Sequence, residues 1–246
     1  MSENRPFVLT IAGLDPSGGA GILADIKTFE QHKVTGFAIS TANTIQTENQ
    51  FYEIQWTDLS FVIRSIETLF LNYKISVVKI GIVSSLHDLN QILSIIKQLS
   101  PSTKIVWDPV LKSTTKFEFM NTEDQFDLNK ILSKIDLITP NFHEAEILFP
   151  DYISKENRFS TNILLKGGHN EKALGTDHLF LKDEMLELLP SEKNCFEKHG
   201  SGCVLSSAIA SNLALNQTLI EACKNAKIYI ENYLSSTTTL IGYHYV

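Results

Sequence analysis

The sequence predicts an α/β protein built on a mostly parallel β-sheet that helices cover on both faces. Short apolar runs of strand character alternate several times with longer stretches whose apolar residues recur at helical spacing. Repeated strand–helix units of this kind give a parallel sheet. The alternation of strands and helices is interrupted at residues 178–189, where two short strand-like runs are joined by a turn. These runs predict an antiparallel hairpin at one edge of the sheet.

The first half of the chain opens with a predicted buried strand at residues 7–12. A glycine-dense loop, residues 13–21, leads from it into an amphipathic helix. Such a loop allows close backbone approach to a small ligand, but a tight strand-to-helix turn would need the same glycines. The other elements predicted here are a strand at 36–41, a polar stretch at 43–49, a helix at 59–72, a strand at 77–80 and a helix at 86–99.

The second half continues the same alternation and ends in two helices. Its predicted elements are a strand at 104–107, a helix at 126–132, a strand at 136–138, a helix at 144–149, a strand at 163–166, the edge hairpin at 178–181 and 185–189, and helices at 202–215 and 218–234. No linker, internal repeat or low-complexity tract interrupts this order. We therefore expect residues 1–246 to form a single domain.

Composition narrows the classes of function. The 246 residues carry a net charge of −7, and without a Lys/Arg run this argues against nucleic-acid binding. A phosphate-bearing ligand remains compatible, because backbone N–H groups and a metal ion can hold it locally. The three cysteines show no metal-ligand spacing, and no apolar run approaches the length of a membrane span. We expect a cytoplasmic protein without nucleic-acid or membrane partners.

Chemically active side chains stand at or just past the ends of the predicted strands. In open parallel sheets, ligands bind beyond the carboxyl ends of the strands. The residues in such positions are Asp15, Gln46, Lys79, Asp108, Asn141 and Lys166. Their coincidence predicts one ligand site at this edge of the sheet.

Residues 198–205, KHGSGCVL, predict an anion-binding helix start. A glycine-rich turn points several backbone N–H groups at one place, and the helix dipole adds partial positive charge there. Cys203 would lie in the first turn, where the same field is expected to lower the pKa of its thiol. The alternative is that Cys203 is a small buried hydrophobic residue.

Asn141 and Glu144 stand three residues apart at the start of a predicted helix. This spacing suits a near capping box, in which both side chains serve the helix end. It also suits a site where Glu144 holds Mg²⁺, directly or through water, beside a triphosphate. Lys166 precedes Gly167 and Gly168 and could reach a phosphate as a point charge, or could simply be solvated. Spacing alone leaves these alternatives open.

Taken together, the segments resemble the hydroxymethylpyrimidine/phosphomethylpyrimidine kinases of thiamine biosynthesis, which belong to the ribokinase-like superfamily. The matching segments are IAGLDPSGGAGI at 11–22, KIG at 79–81, DPV at 108–110, ITPN at 138–141, EAE at 144–146, KGGH at 166–169 and HGSGC at 199–203. The first and last are specific to these kinases, and the middle ones are shared by related vitamin kinases. The resemblance implies a ribokinase-like three-layer α/β/α sandwich that is commonly dimeric.

The resemblance also implies roles for the matched residues. On the substrate side, Gly13, Asp25 and Gln46 match positions that line the pyrimidine pocket, and the further candidates are Asp15, Lys79 and Asp108. On the nucleotide side, Lys166 matches a phosphate contact, with Asn141, His199 and Gly200 as further candidates. Asn141 and Glu144 match the motif that organises Mg²⁺ and phosphate. Gly200, Ser201 and Gly202 match the anion hole, and Cys203 stands where sugar kinases of the superfamily carry an aspartate base.

These expectations combine into one predicted activity. An ATP- and Mg²⁺-dependent kinase would phosphorylate 4-amino-5-hydroxymethyl-2-methylpyrimidine and then its monophosphate, as a homodimer, with Cys203, the anion hole and Lys166 as catalytic residues. A pyridoxal/pyridoxine kinase is the alternative within the same class. The alternative from another class is a non-catalytic pyrimidine- or nucleotide-binding protein. It is motivated by the short polar connection at 151–162, where the family usually has an additional helix.

Overall fold

Alternating strands and helices make up the computed structural model, which describes residues 5–111, 128–149, 160–168 and 174–245. In the first half these are β1 (Phe7–Leu14), α1 (Gly21–Gln31), β2 (Thr35–Gln46), β3 (Phe51–Trp56), α2 (Leu59–Asn72), β4 (Ile75–Ile80), α3 (Leu86–Leu99) and β5 (Lys104–Trp107). In the second half they are α4 (Leu128–Leu132), β6 (Leu137–Ile138), α5 (Phe142–Leu148), β7 (Asn162–Leu165), β8 (Asp177–Phe180), β9 (Met185–Leu188), α6 (Ser201–Ala214) and α7 (Leu219–Ser235).

The nine strands of the described chain form one sheet in the order β3-β2-β1-β4-β5-β6-β7-β8-β9. Each neighbouring pair among β2, β1, β4, β5, β6 and β7 is parallel. At one edge, β8 pairs antiparallel with β7, and β9 pairs antiparallel with β8. The predicted fold class and edge hairpin are therefore confirmed.

A second antiparallel ribbon was not predicted. Strand β2 runs on to Gln46 instead of ending at Thr41, and it pairs antiparallel with β3 at the opposite edge. Beyond Ala42 the strand alternates between exposed and half-buried residues. The continuous apolar run that marks a buried parallel strand is thus missing from this part of β2.

Two hydrophobic layers cover the sheet and complete the three-layer sandwich. One contains α2, α3, α4 and α5, with Ile66 and Leu89 fully buried against the sheet. The other contains α1, α6 and α7, with Phe29 and Tyr233 fully buried. Helix α6 lies deepest, since every residue from Val204 to Ala214 is buried. The helix carries no charged residue, as is expected at such a central position.

The remaining predicted elements agree closely with the structure. Helix α3 and strand β5 have the predicted bounds. Helix α4 begins at Leu128, and the first two residues of its predicted range lie outside the described residues. Residues 151–159 of the predicted polar connection, and His169 of the KGGH segment, also lie outside them. Within the described chain, no helix combines the length and apolar character needed to cross a membrane.

Isolated backbone bridges bring the functional loops together at the carboxyl edge of the parallel strands. Leu14, at the end of β1, is bridged to Gly21, and Asn141, after β6, is bridged to Lys166. The first residues of α6 arrive at the same edge, where His199 N donates a hydrogen bond to Leu240 O at 2.9 Å. The topology thus collects residues distant in sequence around one place.

Candidate active site

A cavity of about 220 Å³ opens at the carboxyl ends of the strands. All but one of the residues predicted for the site line it: Gly13, Asp15, Gln46, Lys79, Asp108, Asn141, Glu144, Lys166, His199, Gly200, Ser201, Gly202 and Cys203. The exception is Asp25. The strand-end reasoning therefore located the cavity, although the role of each residue remains a prediction.

Helix α6 begins at one wall of this cavity. Its N-cap residue, Gly200, has a φ of 72° in the left-handed region and supplies no side-chain cap. A Cβ built on Gly200 would lie 2.1 Å from the carbonyl oxygen of Gly19. The helix start thus packs backbone against backbone on the loop after β1. The N–H groups of Ser201 and Gly202 belong to the first helical turn, where an anion is favoured.

Replacing Gly200 with alanine is expected to disrupt this helix start. The new Cβ would clash with Gly19 O, and alanine disfavours a φ of 72°. If the helix start binds a nucleotide phosphate, as the sequence predicts, its displacement should lower kcat/KM for ATP about 100-fold or more, as when an oxyanion donor is removed. Steady-state kinetics would measure this, with binding of the expected pyrimidine by calorimetry as the control. Near-wild-type kcat/KM would contradict this account of the helix start.

Asp15 organises the loop after β1. Its carboxylate accepts hydrogen bonds from Ser17 N (2.8 Å), Ser17 Oγ (2.8 Å) and Ala20 N (2.9 Å), and it pairs with His199 Nε2 at 2.8 Å. Burial raises the pKa of Asp15, but the bonds from His199 and Ser17 outweigh it and hold the pKa below its usual value. The carboxylate therefore ties the first glycine loop to the anion hole, in addition to lining the cavity.

Asp25 does not line the cavity, which corrects the expectation of direct substrate contact. It is completely buried. Its carboxylate accepts hydrogen bonds from Thr10 Oγ1 (2.6 Å), Ser207 Oγ (2.6 Å) and Lys79 Nζ (2.9 and 3.0 Å). Lys79 is also completely buried and does reach the cavity. A buried ammonium group requires a counter-ion, so Asp25 acts on the cavity by holding Lys79.

A second charge cluster is centred on Asp108. Asp108 Oδ1 accepts hydrogen bonds from Lys166 Nζ at 2.8 Å and from Thr139 Oγ1 at 3.0 Å. Burial raises the pKa of Asp108, but the ammonium groups of Lys166 and Lys79 outweigh it and keep the pKa below its usual value. Asp108 is therefore ionised, and Lys166 is held close to the anion hole.

Asn141 and Glu144 form the capping box that their spacing allowed. Asn141 N donates to Glu144 Oε2 at 2.7 Å, and Glu144 N donates to Asn141 Oδ1 at 2.9 Å. Both residues also line the cavity, and Lys166 Nζ lies 3.9 Å from Glu144 Oε2. Burial raises the pKa of Glu144 to about 7; Lys166 opposes this rise and Asp108 adds to it. The helix cap therefore holds a carboxyl group at the cavity wall, next to a second carboxylate.

Cys203 does not have the lowered pKa expected for a thiol at a helix start. Burial raises the pKa of Cys203 to about 11; Lys79 opposes the rise, and the carboxylates of Asp25 and Asp108 add to it. The helix field favours a thiolate in the first turn, but removal from water penalises the thiolate more strongly. Cys203 is therefore a neutral thiol near neutral pH.

Gln46 and several apolar residues also line the cavity. The side-chain nitrogen of Gln46 donates to Thr44 Oγ1 at 2.8 Å. Thr44, Leu14, Ile82 and Val110 line the cavity as well and were not predicted. Thr44 could have been found, since residues two apart on a strand share a face.

The fold and the cavity together define a class of protein. An anion-binding helix start, the lysines Lys79 and Lys166, and three acidic side chains line one cavity at the carboxyl edge of a parallel sheet, together with apolar side chains. Such a site binds a phosphate-bearing ligand next to a small organic molecule. It is the arrangement of a small-molecule phosphotransferase.

Comparison with known proteins gives the particular family. The model of the phosphomethylpyrimidine kinase family matches residues 15–245. A hydroxymethylpyrimidine/phosphomethylpyrimidine kinase of Aquifex aeolicus is 32% identical over 249 residues, which cover 95% of this chain and 96% of the relative. The chain belongs to the phosphomethylpyrimidine kinase family, and the resemblance of its sequence segments is confirmed.

Solved structures agree with this assignment. A phosphomethylpyrimidine kinase from Clostridium difficile 630 has a TM-score of 0.75 and 32% identity, covering 92% of this chain and 98% of that one. An ADP complex of Bacillus subtilis pyridoxal kinase has a TM-score of 0.78 and 25% identity, covering 94% of this chain and 92% of that one. The ribokinase-like architecture is therefore confirmed, and both vitamin-kinase types share it.

Proposed function

We propose that this protein transfers the γ-phosphoryl group of ATP to the hydroxymethyl group of 4-amino-5-hydroxymethyl-2-methylpyrimidine, and then phosphorylates the resulting monophosphate. The observation that carries the proposal is that Gln46 and the first residues of α6 line one cavity, with Cys203 and Lys79 among the other lining residues. In the proposal, the hydroxymethyl group and the phosphoryl group meet in this cavity beside Cys203. Family membership supports the same reaction.

In this proposal, different residues of the cavity have different roles in phosphoryl transfer. Catalysis requires in-line positioning and stabilisation of charge on the moving group, with little covalent chemistry by the protein. In the proposal, the first-turn N–H groups of α6 and the ammonium of Lys166 stabilise that charge. Gln46 orients the pyrimidine ring. Cys203, in its thiolate form, accepts the hydroxyl proton as the new bond to phosphorus forms and the bond from phosphorus to the ADP oxygen breaks.

The acidic residues fit a divalent cation. Glu144 and Asp108 place two carboxyl groups in one buried site, where burial and, to a smaller extent, the Asp108 carboxylate raise the pKa of Glu144 to about 7 against the effect of Lys166. A bound cation would favour the ionised form of both carboxyl groups. Within the described residues, no cluster of three or more His, Cys, Asp or Glu side chains could hold a metal. Mg²⁺ usually keeps several waters and binds through one or two carboxylates plus substrate phosphates, and this donor set suits that mode. When bound, Mg²⁺ would neutralise charge on the phosphate groups.

Substrate choice distinguishes the two candidate kinases. The similarity to the B. subtilis pyridoxal kinase makes pyridoxal the second candidate substrate. ADP release with purified protein, ATP and Mg²⁺ would be measured with the pyrimidine and with pyridoxal in parallel. We expect kcat/KM to be at least tenfold higher for the pyrimidine. A preference for pyridoxal would replace the proposal by a pyridoxal kinase, and ligand binding without ADP release would favour a non-catalytic binding protein.

The raised pKa of Cys203 predicts a pH dependence. Below a pKa of about 11, the thiolate fraction grows about tenfold with each pH unit. If the thiolate is the proton acceptor, the single-turnover rate of phosphoryl transfer should rise about tenfold per unit between pH 8 and 10. Rapid-quench measurements would test this, with the exposed Cys195→Ala variant as the matched control. A flat profile in wild-type protein would show that Cys203 is not the base.

We also propose a homodimeric and cytoplasmic protein. The dimer rests on the family resemblance, and the compartment is supported by the three free thiols at Cys195, Cys203 and Cys223. Sedimentation at several concentrations would test the dimer, and a monomer at micromolar concentration would contradict it.

A further inference from the structure

A buried ion pair lies behind the loop that carries Lys166, outside the cavity. Asp177 on β8 is 5% exposed and Lys227 on α7 is 9% exposed. Lys227 Nζ lies 2.8 Å from Asp177 Oδ2. A buried ion pair seldom adds stability over apolar residues of the same size. This pair therefore calls for a role beyond stability.

The second oxygen of Asp177 holds the backbone next to Lys166. Gly167 N donates to Asp177 Oδ1 at 2.8 Å, and Gly175 N donates to Gly167 O at 3.0 Å. Lys227 Nζ also donates to Gly175 O. The amide and the carbonyl of Gly167 are thus both tied to β8 and the turn before it, and α7 holds that turn in place.

Close packing leaves Gly167 no room to move away. A Cβ built on Gly167 would lie 1.8 Å from Thr176 O. On the other side, Lys166 N donates to Pro140 O at 2.9 Å. The backbone of Lys166 is therefore held between β6 and β8, and its ammonium extends to within 3.1 Å of where a Cβ on Gly202 would lie.

We propose that Asp177, supported by Lys227, is a positioning residue for Lys166. Its carboxylate holds the Gly167 amide so that the Lys166 ammonium is directed at the phosphate groups of the nucleotide. This inference rests on the proposed function, because that function makes a nucleotide phosphate the ligand of Lys166. Asp177 contacts no ligand itself, and its effect on nucleotide affinity passes through Lys166.

Two matched double variants isolate the hydrogen-bond acceptor from the charge. Asp177→Asn with Lys227→Met removes both charges but keeps an oxygen for the Gly167 amide. Asp177→Leu with Lys227→Met removes both charges and the acceptor, with a side chain of similar size. Neither leaves a charge at position 177 or 227 without its partner, the condition that makes disruption of such pairs severe. Both remove the Lys227 ammonium from Glu231 Oε1, 3.7 Å away, to the same extent, so the difference between the two variants still reports the acceptor. Asp177→Ala with Lys227→Met is a second acceptor-free variant, to be used if the leucine variant does not fold.

Calorimetry with the ATP analogue AMP-PCP and Mg²⁺ measures nucleotide affinity without turnover. We expect the asparagine variant to bind within threefold of wild type and the leucine variant at least tenfold more weakly. Affinity for the pyrimidine should stay within threefold in both, which separates a local effect from general loss of structure. Equal nucleotide affinity in the two variants would overturn the proposal.

Repeating the comparison in a Lys166→Met background tests whether Lys166 carries the effect. The difference between the two variants should shrink below twofold, because the side chain that Asp177 positions is gone. A tenfold difference that persists in this background would overturn the proposal. Wild-type turnover of the pyrimidine is assayed separately. Binding of AMP-PCP without turnover would count against the proposed function alone.

Discussion

Replacing Cys203 with alanine is expected to lower the rate of phosphoryl transfer by roughly 100- to 10,000-fold, the usual contribution of a general base. KM for the pyrimidine should change little, because Gln46 and the apolar wall remain. The thiol lines the cavity beside Lys79 and at the start of α6, where the proposed hydroxymethyl and phosphoryl groups meet. Single-turnover kinetics at pH 9 would measure the loss.

The matched control is Cys195→Ala, since Cys195 is an exposed free cysteine outside the cavity. Its rate should equal that of wild type, and the pH dependence proposed for wild type should vanish only in the Cys203 variant. If the transfer rate of Cys203→Ala falls less than fivefold, Cys203 lines the pocket but is not the base. The proton would then have to leave by another route.

Replacing Asp25 with alanine is expected to cost about 3 to 5 kcal/mol of unfolding free energy, the range for removing one partner of a buried ion pair. Lys79 is completely buried and would lose its counter-ion, while Thr10 and Ser207 would lose an acceptor. Urea unfolding followed by circular dichroism would measure the change. Activity should fall too, because Lys79 reaches the cavity.

An exposed ion pair on the same helix provides the control. Glu30 pairs with Arg5 at 2.7 Å, with side chains 66% and 43% exposed, so Glu30→Ala should cost less than about 1 kcal/mol. The double variant Asp25→Leu with Lys79→Met should recover most of the stability but not the activity. A loss below 1 kcal/mol in Asp25→Ala would contradict the account of the buried pair.

Much of the fold could be predicted from the sequence, because local patterns determine it. Strand β5 is a short apolar run, and α3 has apolar residues at helical spacing, so both were found with their observed bounds. The β2–β3 ribbon was missed because its half-exposed residues reveal their pairing only through long-range contacts.

The site, too, could be predicted only as far as local sequence determines it. Strand ends and the glycine-rich helix start located the cavity, since parallel strands bring their carboxyl ends together. The counter-ion of Lys79 could not be predicted, because Asp25 lies 54 positions away in sequence. The expected pKa of Cys203 was wrong for a related reason: burial and the nearby carboxylates oppose the helix field, and neither is visible in the local sequence.

The identity of the phosphorylated product tests the central claim most directly. Wild-type protein would be incubated with ATP, Mg²⁺ and the pyrimidine, and the mixture followed by ³¹P NMR. We expect ADP to form together with the pyrimidine monophosphate, and the pyrimidine diphosphate to follow. With Cys203→Ala, both phosphorylated pyrimidines should form much more slowly. Release of ADP without any phosphorylated pyrimidine, or phosphorylation of pyridoxal but not of the pyrimidine, would contradict it.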